Sequence, residues 1–438
     1  MYVRFWGTRG SLATPGAGTV RYGGNTSCVE LYTSRGTLLI LDCGSGAREL
    51  GLSLMSRGSP VAAAILIGHT HWDHIQGFPF FAPVFAATSR FDIYAPSGGD
   101  VQLADVLAGQ MEYQYFPVSI EQLGADISFH DLGEDQFTVG DAIVQTHYLN
   151  HTAVCLGYRI TAGGRTVVYA TDHEPHARSM LHGELNRNQG AVIHAGDRAH
   201  VEFLRGADLL IHDAQFTDAE YPARVGWGHS TMEYATDIAI EAGVTRLALF
   251  HHDPGHDDSF LESAVLRCQA RARAQGSSLQ VSGAAEGTSI DLPESVVTAV
   301  RPKRPRPLKV QREAQILIVD DDADVRELLH AALEKQGYQI LEASTGSEAL
   351  TLAAKRSLDL VLLDVMMPDM DGYTVCRIMR STPNTQDVPI VMLTGLTDES
   401  RIQEAFALGA TDFMAKPFAV AQVRARVQSW LLRRRDTN

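Results

Sequence analysis

Three histidines and one aspartate lie within six consecutive residues, 69–74, directly after an apolar segment that ends at Ile67. Short apolar runs bounded by Gly, Asp or Ser predict buried strands, so this cluster follows the end of a strand. Four potential ligands this close can converge only if the loop folds around something, and imidazole nitrogen with carboxylate oxygen suits Zn²⁺, Mn²⁺ or Fe²⁺. The alternative is a polar surface turn that happens to be rich in histidine, but this spacing is rare by chance. We therefore predict a metal site.

Size and composition indicate a globular protein of two or three domains. The chain has 438 residues, of which 45% are hydrophobic and 20% are charged. Its five cysteines form no CxxC pair, which argues against disulfides and cysteine-held zinc. No apolar run approaches the ~20 residues of a membrane span, and the strand-like N-terminus lacks the layout of a signal peptide. We expect a cytoplasmic protein without membrane contact, and its net charge of −15 argues against DNA binding.

Charge and histidine content divide the chain into three parts. Residues 1–292 carry 18 Lys and Arg against 32 Asp and Glu, residues 293–313 carry 6 against 2, and residues 314–438 carry 13 against 18. The middle part contains the run RPKRPRP, in which proline prevents helix, and this predicts an extended linker between two domains. Nucleic-acid binding by the basic run is the alternative. Sixteen of the 17 histidines precede the linker, which assigns the metal chemistry to the first domain.

Strands and helices are interleaved in the first domain. Strands are predicted over residues 29–32, 37–41, 62–67, 142–148, 155–160, 166–170, 209–212 and 246–250, and a helix over residues 232–242. This pattern predicts a layered α/β fold.

The run HTHWDH at residues 69–74 resembles the HxHxDH motif of the metallo-β-lactamase superfamily. Further matches follow in the family order in the runs LNHT, YATD and LFHHDP, and the resemblance covers nearly all of residues 1–290. It implies an αββα sandwich that holds two metal ions, Zn²⁺ or else Mn²⁺ or Fe²⁺. The implied ligands are His69, His71 and His151 for one ion, Asp73, His74 and His251 for the other, and Asp172 as the bridge. His252 is the alternative to His251, which its position directly after a strand favours.

A second motif narrows the expected reaction. The run GHST at residues 228–231 resembles the ribonuclease Z and cyclic-phosphodiesterase branch of the superfamily. In that branch the histidine, here His229, helps to protonate the leaving oxygen of a phosphodiester, so the resemblance implies a hydrolase with Asp73 and His229 in catalytic roles. His212 and Asp213 lie in a run that also resembles this branch, and they are either catalytic or structural. Arg9 either lines a phosphate pocket or belongs to a tight turn, which we favour.

Two departures from that branch bear on the substrate. Only about 40 residues separate Asp172 from His212, and no long basic, glycine-rich arm of the kind that grips transfer RNA precedes them. The domain is also acidic, so we expect a small or cyclic phosphodiester rather than a structured RNA. Hydrolysis of a lactone, thioester, sulfate ester or RNA end is the alternative, as is a non-catalytic, metal-stabilised signalling module. His71 stands where oxygen-binding di-iron members have Glu, which disfavours redox chemistry.

Strands and helices alternate regularly in the last 125 residues. Strands are predicted over 316–319, 338–341, 358–363, 389–393 and 411–414, and helices over 323–336, 347–356, 373–379, 400–408 and 420–432. Five βα units predict a doubly wound parallel sheet whose site lies at the carboxyl ends of the strands.

The runs VDDD at 319–322, LDVMMP at 363–368, LTG at 393–395 and AKPF at 415–418 resemble response-regulator receiver domains. The resemblance implies that Asp364 accepts a phosphoryl group from a sensor histidine kinase or a phosphotransfer protein. It also implies a Mg²⁺ ion held by Asp320, Asp321, Asp364 and the carbonyl group of Met366. Thr394, Lys416 and the switch aromatic Phe413 would respond to the phosphoryl group. We therefore predict a two-component response regulator whose output is a metal-dependent phosphodiesterase, acting within one chain or through a homodimer.

Overall fold

The structure is a computed structural model that describes residues 1–58, 60–96, 102–175, 195–295, 314–395 and 408–416, with single residues or pairs between 420 and 431. The described residues form two compact units, one up to residue 295 and the other from residue 314. In this part of the chain, no helix is both long and apolar enough to cross a membrane.

The first sheet of the first unit has seven strands. They are Tyr2–Gly7 (β1), Cys28–Tyr32 (β2), Leu38–Leu41 (β3), Ala62–Leu66 (β4), Arg90–Pro96 (β5), Asp126–Leu132 (β6) and Ser289–Asp291 (β14). Their order is β14-β1-β2-β3-β4-β5-β6, and the pairs from β3 to β6 are parallel. Every residue of β3 is buried, as expected of a strand that is covered on both faces.

The second sheet also has seven strands. They are Gln136–Val139 (β7), Ala142–Leu149 (β8), Cys155–Ala162 (β9), Arg165–Ala170 (β10), Leu209–Asp213 (β11), Arg246–Phe250 (β12) and Gln280–Gly283 (β13). Their order is β13-β12-β11-β10-β9-β8-β7, and the pairs from β10 to β13 are parallel. The carboxyl ends of β10, β11 and β12 therefore lie at one edge of this sheet.

The two sheets pack against each other, with helices on their outer faces. The Tyr158 hydroxyl on β9 donates to the carbonyl oxygen of Ile67 at 2.6 Å, and the rings of Phe5 and Phe250 lie 6.2 Å apart across the interface. Helices Ala47–Ser56 (α1) and Leu103–Gly109 (α3) share an apolar core with the first sheet, whereas Ala195–Leu204 (α4), Met232–Glu241 (α5) and Asp258–Ala274 (α6) share one with the second. A short helix, Trp72–Ile75 (α2), follows β4. The expected αββα sandwich is confirmed.

The second unit is a parallel sheet with helices between its strands. The strands are Gln315–Val319 (β15), Gln339–Ala343 (β16), Leu360–Asp364 (β17), Ile390–Thr394 (β18) and Asp412–Ala415 (β19), in the order β16-β15-β17-β18-β19. The helices are Ala323–Glu334 (α7), Gly346–Lys355 (α8) and Gly372–Ser381 (α9). The chain reverses direction along the sheet beside β15, which places a crevice at the carboxyl ends of β15 and β17. The doubly wound fold is confirmed; the helices predicted over 400–408 and 420–432 fall largely outside the described residues.

Candidate functional site

The ends of five strands bring the predicted ligands of the first unit together. His69 follows β4 of the first sheet, whereas Asp172 and His251 follow β10 and β12 of the second. His151 follows β8, and Asp213 is the last residue of β11. Because β10, β11 and β12 are parallel, their polar terminal residues share one edge and meet the motif that follows β4.

The seven predicted ligands form two groups joined by Asp172. Ligand atoms of His69, His71, His151 and Asp172 lie within 4.8 Å of one another, and so do those of Asp73, His74 and His251. Oδ1 of Asp172 lies 3.2 Å from Nε2 of His74 and 3.3 Å from Nε2 of His251. Its Oδ2 lies 3.6 Å from Nε2 of both His69 and His151. Each oxygen of the Asp172 carboxylate therefore faces a different pair of histidines.

Hydrogen bonds behind the rings determine which nitrogen faces the cluster. Nδ1 of His74 donates to Asp42 Oδ2 at 2.6 Å, and Nδ1 of His151 donates to the carbonyl oxygen of Gly228 at 2.9 Å. A neutral ring that donates from Nδ1 keeps its lone pair on Nε2, the atom that then faces Asp172. Nε2 of the buried His69 has no hydrogen-bond partner among the described residues. Converging lone pairs and an orphaned ring nitrogen fit a divalent metal.

Protonation preferences also fit a cation. Burial lowers the pKa of His69 and His71, and it lowers the pKa of His151 to about 3, so these rings are neutral and able to ligate. Burial also opposes protonation of His74, but the neighbouring carboxylates, above all that of Asp172, raise its pKa well above the ordinary value. The buried carboxylates thus require positive charge beside them, which a divalent ion supplies.

Asp42 is a buried residue of this site that the sequence analysis missed. It follows β3 and accepts from Nδ1 of His74, from the backbone N–H of Gly68 at 2.7 Å and from the Tyr169 hydroxyl at 2.5 Å. A carboxylate that holds the far nitrogen of a ligating histidine fixes both its ring and its tautomer. The signal was present in the sequence, because Asp42 is a charged residue directly after the apolar strand LLIL.

Asp42→Ala should weaken metal binding by about 10- to 100-fold, because His74 loses the acceptor that orients it. Metal affinity is measured on the full chain by competition with a chromogenic chelator. Asp42→Asn preserves the volume of the side chain and separates the loss of charge from a cavity. Asp92→Ala is the matched control, since its carboxylate contacts Nε2 of His130 at 3.0 Å in the first sheet and touches no predicted ligand. Equal affinities of the Asp42→Ala and wild-type chains would show that Asp42 does not orient a ligand.

Backbone strain is concentrated at the same place. Among the described residues, four that are not glycine have a positive φ: Ser11, Asp42, Asp172 and His251, all between 58° and 61°. The N–H of Ser11 donates to Asp73 Oδ2 at 2.7 Å, so all four contact the cluster or belong to it. Each such conformation costs on the order of 1–3 kcal/mol and persists only where the surroundings enforce it. The folded state is therefore less stable by this amount, and the surrounding structure holds these four residues in position at the cluster.

His229 lies beside the cluster and is paired with Asp213. Its Nδ1 donates to Asp213 Oδ2 at 2.8 Å and lies 3.9 Å from Asp172 Oδ2. Asp213 is fixed in turn, because its carboxylate accepts from the backbone N–H groups of Gln215 and Ser230. Burial of the ring opposes protonation of His229, but Asp213 and the other carboxylates raise its pKa to about 9. The sequence left the role of Asp213 open, and the structure places it behind His229.

Glu174 is the second residue that the sequence analysis missed. It is buried two residues after Asp172, and its carboxylate accepts from the Tyr221 hydroxyl at 2.6 Å and from the backbone N–H groups of Gly226 and Gly228. These bonds fasten the loop that precedes His229 to the strand end that carries Asp172. Nothing in its local sequence marks Glu174, because its three partners lie about 50 residues away.

Two other candidates lie outside the cluster. Nε2 of His252 donates to the carbonyl oxygen of Ala284 at 2.9 Å, whereas its neighbour His251 lies within the second ligand group. The buried guanidinium of Arg9 donates to backbone carbonyl oxygens, among them that of Gly23 at 2.8 Å, and therefore braces turns. Burial of Arg9 lowers its pKa.

The second unit has its own acidic site at the strand ends. Ligand atoms of Asp320, Asp321 and Asp364 lie within 4.8 Å of one another. Nζ of Lys416 lies 2.6 Å from both Asp320 Oδ2 and Asp364 Oδ1. Burial and Asp320 raise the pKa of Asp364, although Lys416 opposes the shift. The single ammonium group of Lys416 leaves part of the negative charge of the three carboxylates uncompensated. This fits a site that binds Mg²⁺, which prefers oxygen ligands.

The remaining receiver residues lie around this site. The backbone N–H of Met366 donates to Asp364 Oδ2 at 2.8 Å, which places Met366 beside the acidic site. Thr394 is buried at the end of β18. Phe413 lies in β19, and its side chain is outside the described part of the structure.

Comparison with known proteins gives two family matches. Residues 37–252 match the family model described as beta-lactamase superfamily domain, and residues 316–428 match the response regulator receiver domain. The probable transcriptional regulator ycf27 of Cyanidium caldarium is 42% identical over 127 residues, which are 29% of this chain and 49% of that protein. The transcriptional regulatory protein ResD of Bacillus subtilis is 41% identical over 126 residues, 29% of this chain and 51% of that protein. The chain thus spans about half the length of these relatives.

Among solved structures, the short form of human tRNase Z is similar to this protein. The similarity covers 67% of this chain and 100% of the tRNase Z chain, with 22% identity and a TM-score of 0.45.

Proposed function

We propose a function for a chain that joins a beta-lactamase superfamily domain to a response regulator receiver domain: a divalent-metal hydrolase of small phosphodiesters, controlled by phosphorylation of Asp364. The observation that best supports the hydrolase function is the position of the Asp172 carboxylate. Its two oxygens face separate histidine pairs, and His229 lies beside it. This arrangement would combine a binuclear metal site with a proton donor, and each of these accelerates phosphodiester cleavage.

Seven residues would hold the two metal ions. They are His69, His71 and His151 for one, Asp73, His74 and His251 for the other, and Asp172 for both. Such ions, when bound, polarise a phosphoryl group and favour ionisation of the attacking water. The carboxylate of Asp42, the carbonyl oxygen of Gly228 and the side-chain oxygen of Gln215 need not touch substrate, since they contact the ligating rings from behind.

His229 would donate a proton to the leaving oxygen. Asp213 occupies its Nδ1, so Nε2 is the nitrogen that remains to face a substrate, and a pKa of about 9 keeps the ring protonated near neutral pH. Protonation of the leaving oxygen accompanies rupture of its bond to phosphorus, and the ring then regains a proton from water. Asp213 is a positioning residue, because it acts through His229.

The hydrolase is tested with the purified full chain loaded with Zn²⁺ or Mn²⁺. We expect hydrolysis of bis(p-nitrophenyl) phosphate, with chelation abolishing the activity and added metal restoring it. p-Nitrophenyl acetate and p-nitrophenyl sulfate serve as the competing ester classes. A metal-loaded chain that cleaves either of these and no phosphodiester would overturn the assignment of substrate class.

The receiver domain implies an interaction with a histidine kinase or a phosphotransfer protein. In the proposed reaction, a carboxylate oxygen of Asp364 attacks the phosphorus of the donor, and the leaving group of the donor departs. Lys416, which lies 2.6 Å from Asp364 Oδ1, would then pair with a phosphoryl oxygen.

Phosphorylation should change phosphodiesterase turnover by about fivefold or more, the lower end of common allosteric coupling. Acetyl phosphate with Mg²⁺ is the donor, and incorporation of phosphate is followed together with turnover. Asp364→Asn is the control and should neither take up phosphate nor respond. Unchanged turnover and unchanged oligomeric state in a fully phosphorylated wild-type chain would contradict this control mechanism.

A further inference from the structure

Two of the four tryptophans are exposed on segments that contact the metal-ligand cluster, one at the start of helix α2 and one on a loop. Trp72 is 75% exposed and Trp227 is 55% exposed, whereas Trp430 is buried. A large aromatic side chain left in water gives up much of the stabilisation that burial would provide. Exposure of both residues beside one site therefore indicates a binding role.

Trp72 lies between two predicted ligands, His71 and Asp73. It is the first residue of α2, whose residues Asp73, His74 and Ile75 are buried. The short helix thus directs its other residues inward and leaves the indole of Trp72 outside the core.

Trp227 is held by a loop with little freedom. Glu174 accepts from the N–H groups on both sides of it, those of Gly226 at 2.6 Å and Gly228 at 3.1 Å. Gly228 has a φ of +90°, and a Cβ there would lie 2.3 Å from Nδ1 of His151, so this position excludes other residues. Nδ1 of His151 donates to the carbonyl oxygen of Gly228. The loop is therefore preformed, which lowers the entropic cost of binding.

The segments that carry the two tryptophans both contact His151. Its Nδ1 contacts the loop of Trp227, and its Nε2 lies 3.2 Å from Nδ1 of His71, the neighbour of Trp72. Both tryptophans consequently lie on segments that contact the same cluster.

We call Trp72, Trp227 and Arg224 together the rim. Arg224 is its cation. Its guanidinium lies 4.7 Å from the ring centroid of Trp227 and 5.9 Å from that of Phe216, and the Phe216 ring lies 6.0 Å from His229. Among the residues that the structure describes, no carboxylate forms an ion pair with Arg224. An indole and a guanidinium plane together are a common platform for stacking nucleobases.

We propose that Trp72, Arg224 and Trp227 bind the base of a nucleotide, so that the substrate is a nucleoside cyclic phosphate or a short nucleotide phosphodiester. This inference rests on the proposed phosphodiesterase function. A base stacked on these residues leaves its ribose phosphate toward the cluster, where His229 and the ligands lie. Base-free sugar phosphates lack the group that the rim accommodates.

The test compares adenosine 2′,3′-cyclic phosphate with methyl riboside 2′,3′-cyclic phosphate, which lacks the base, on the metal-loaded full chain. We expect KM to be about tenfold or more lower for the adenosine compound, the effect of one stacked base. Trp227→Ala and Trp72→Ala should each remove most of this difference through KM, with kcat changed less than about twofold. Trp227→Tyr should restore most of it. Tyr113→Ala is the matched control, because Tyr113 is an exposed aromatic residue remote in sequence from the ligands.

A binding measurement separates this proposal from the proposed hydrolase. Quenching of tryptophan fluorescence by AMP, but not by ribose 5-phosphate, is expected in the wild type and should be lost in Trp227→Ala. Base-dependent quenching without any phosphodiester hydrolysis would refute the proposed hydrolase function and would still support base binding by the rim. Equal affinity for AMP and ribose 5-phosphate in a chain that cleaves phosphodiesters would refute the rim alone.

Discussion

Asp172→Ala is expected to lower bound metal from about two ions per chain to one or none and to reduce phosphodiester hydrolysis to background. The reason is geometric: both histidine groups lose the carboxylate oxygen that faces them, 3.2–3.6 Å from their Nε2 atoms. The site also loses the negative charge of Asp172, which would compensate a cation bound beside the buried rings of His74 and His251. Metal content is measured by mass spectrometry after gel filtration, and activity with bis(p-nitrophenyl) phosphate.

A matched variant controls for the loss of a paired carboxylate. Asp208 forms an ion pair with Arg165 at 2.6 Å and accepts from the N–H of Thr166, away from the cluster. Asp208→Ala should retain both metal ions, while His69→Ala should resemble Asp172→Ala. An Asp172→Ala chain with two ions and full activity would exclude the binuclear arrangement.

His229→Ala is expected to retain both metal ions and to lower turnover by about 10²–10⁴-fold, the usual range for assistance by an acid or base. The loss should be largest for poor leaving groups such as a ribose hydroxyl. It should shrink for p-nitrophenolate, because that leaving group departs without protonation. The measurement is a plot of log kcat against the pKa of the leaving group, which should be steeper for the variant.

Asp213→Asn tests the pairing behind His229. The amide preserves the shape of the side chain but removes the charge that raises the pKa of His229. Because His229 acts in its protonated form, the alkaline limb of the pH profile should move to lower pH. Metal content should stay the same. Equal losses of turnover on good and poor leaving groups in His229→Ala would assign His229 a structural role instead.

Much of the second unit was predictable because its information is local. Each βα unit consists of an apolar run, a polar residue at its end and an amphipathic helix, and the predicted strand over 389–393 differs from the observed Ile390–Thr394 by one residue. Parallel connection then forces the ends of β15 and β17 to one edge, so Asp320 and Asp364 had to be neighbours. Such an inference needs only the order of elements.

The first unit was predictable at its motif and less so around it. The spacing of His69, His71 and His74 implied a metal site because ligands within one turn of chain can converge by local folding alone. Asp42 was missed although its place directly after an apolar strand was a signal, since that place does not reveal which partners it meets. Glu174 was missed because nothing in its local sequence marks it.

The sequence by itself determined the two folds, the boundary between their compositions and the residue types that meet at each site. The tertiary structure alone decided that Asp172 faces one histidine pair with each oxygen, that Asp213 supports His229 and that His252 turns away toward Ala284. The physical reason is that periodicity and spacing describe interactions along the chain, where neighbours are fixed by covalent geometry. Contacts between His229 and Asp213, or between Asp42 and His74, depend on how two sheets pack, and packing involves the whole domain at once.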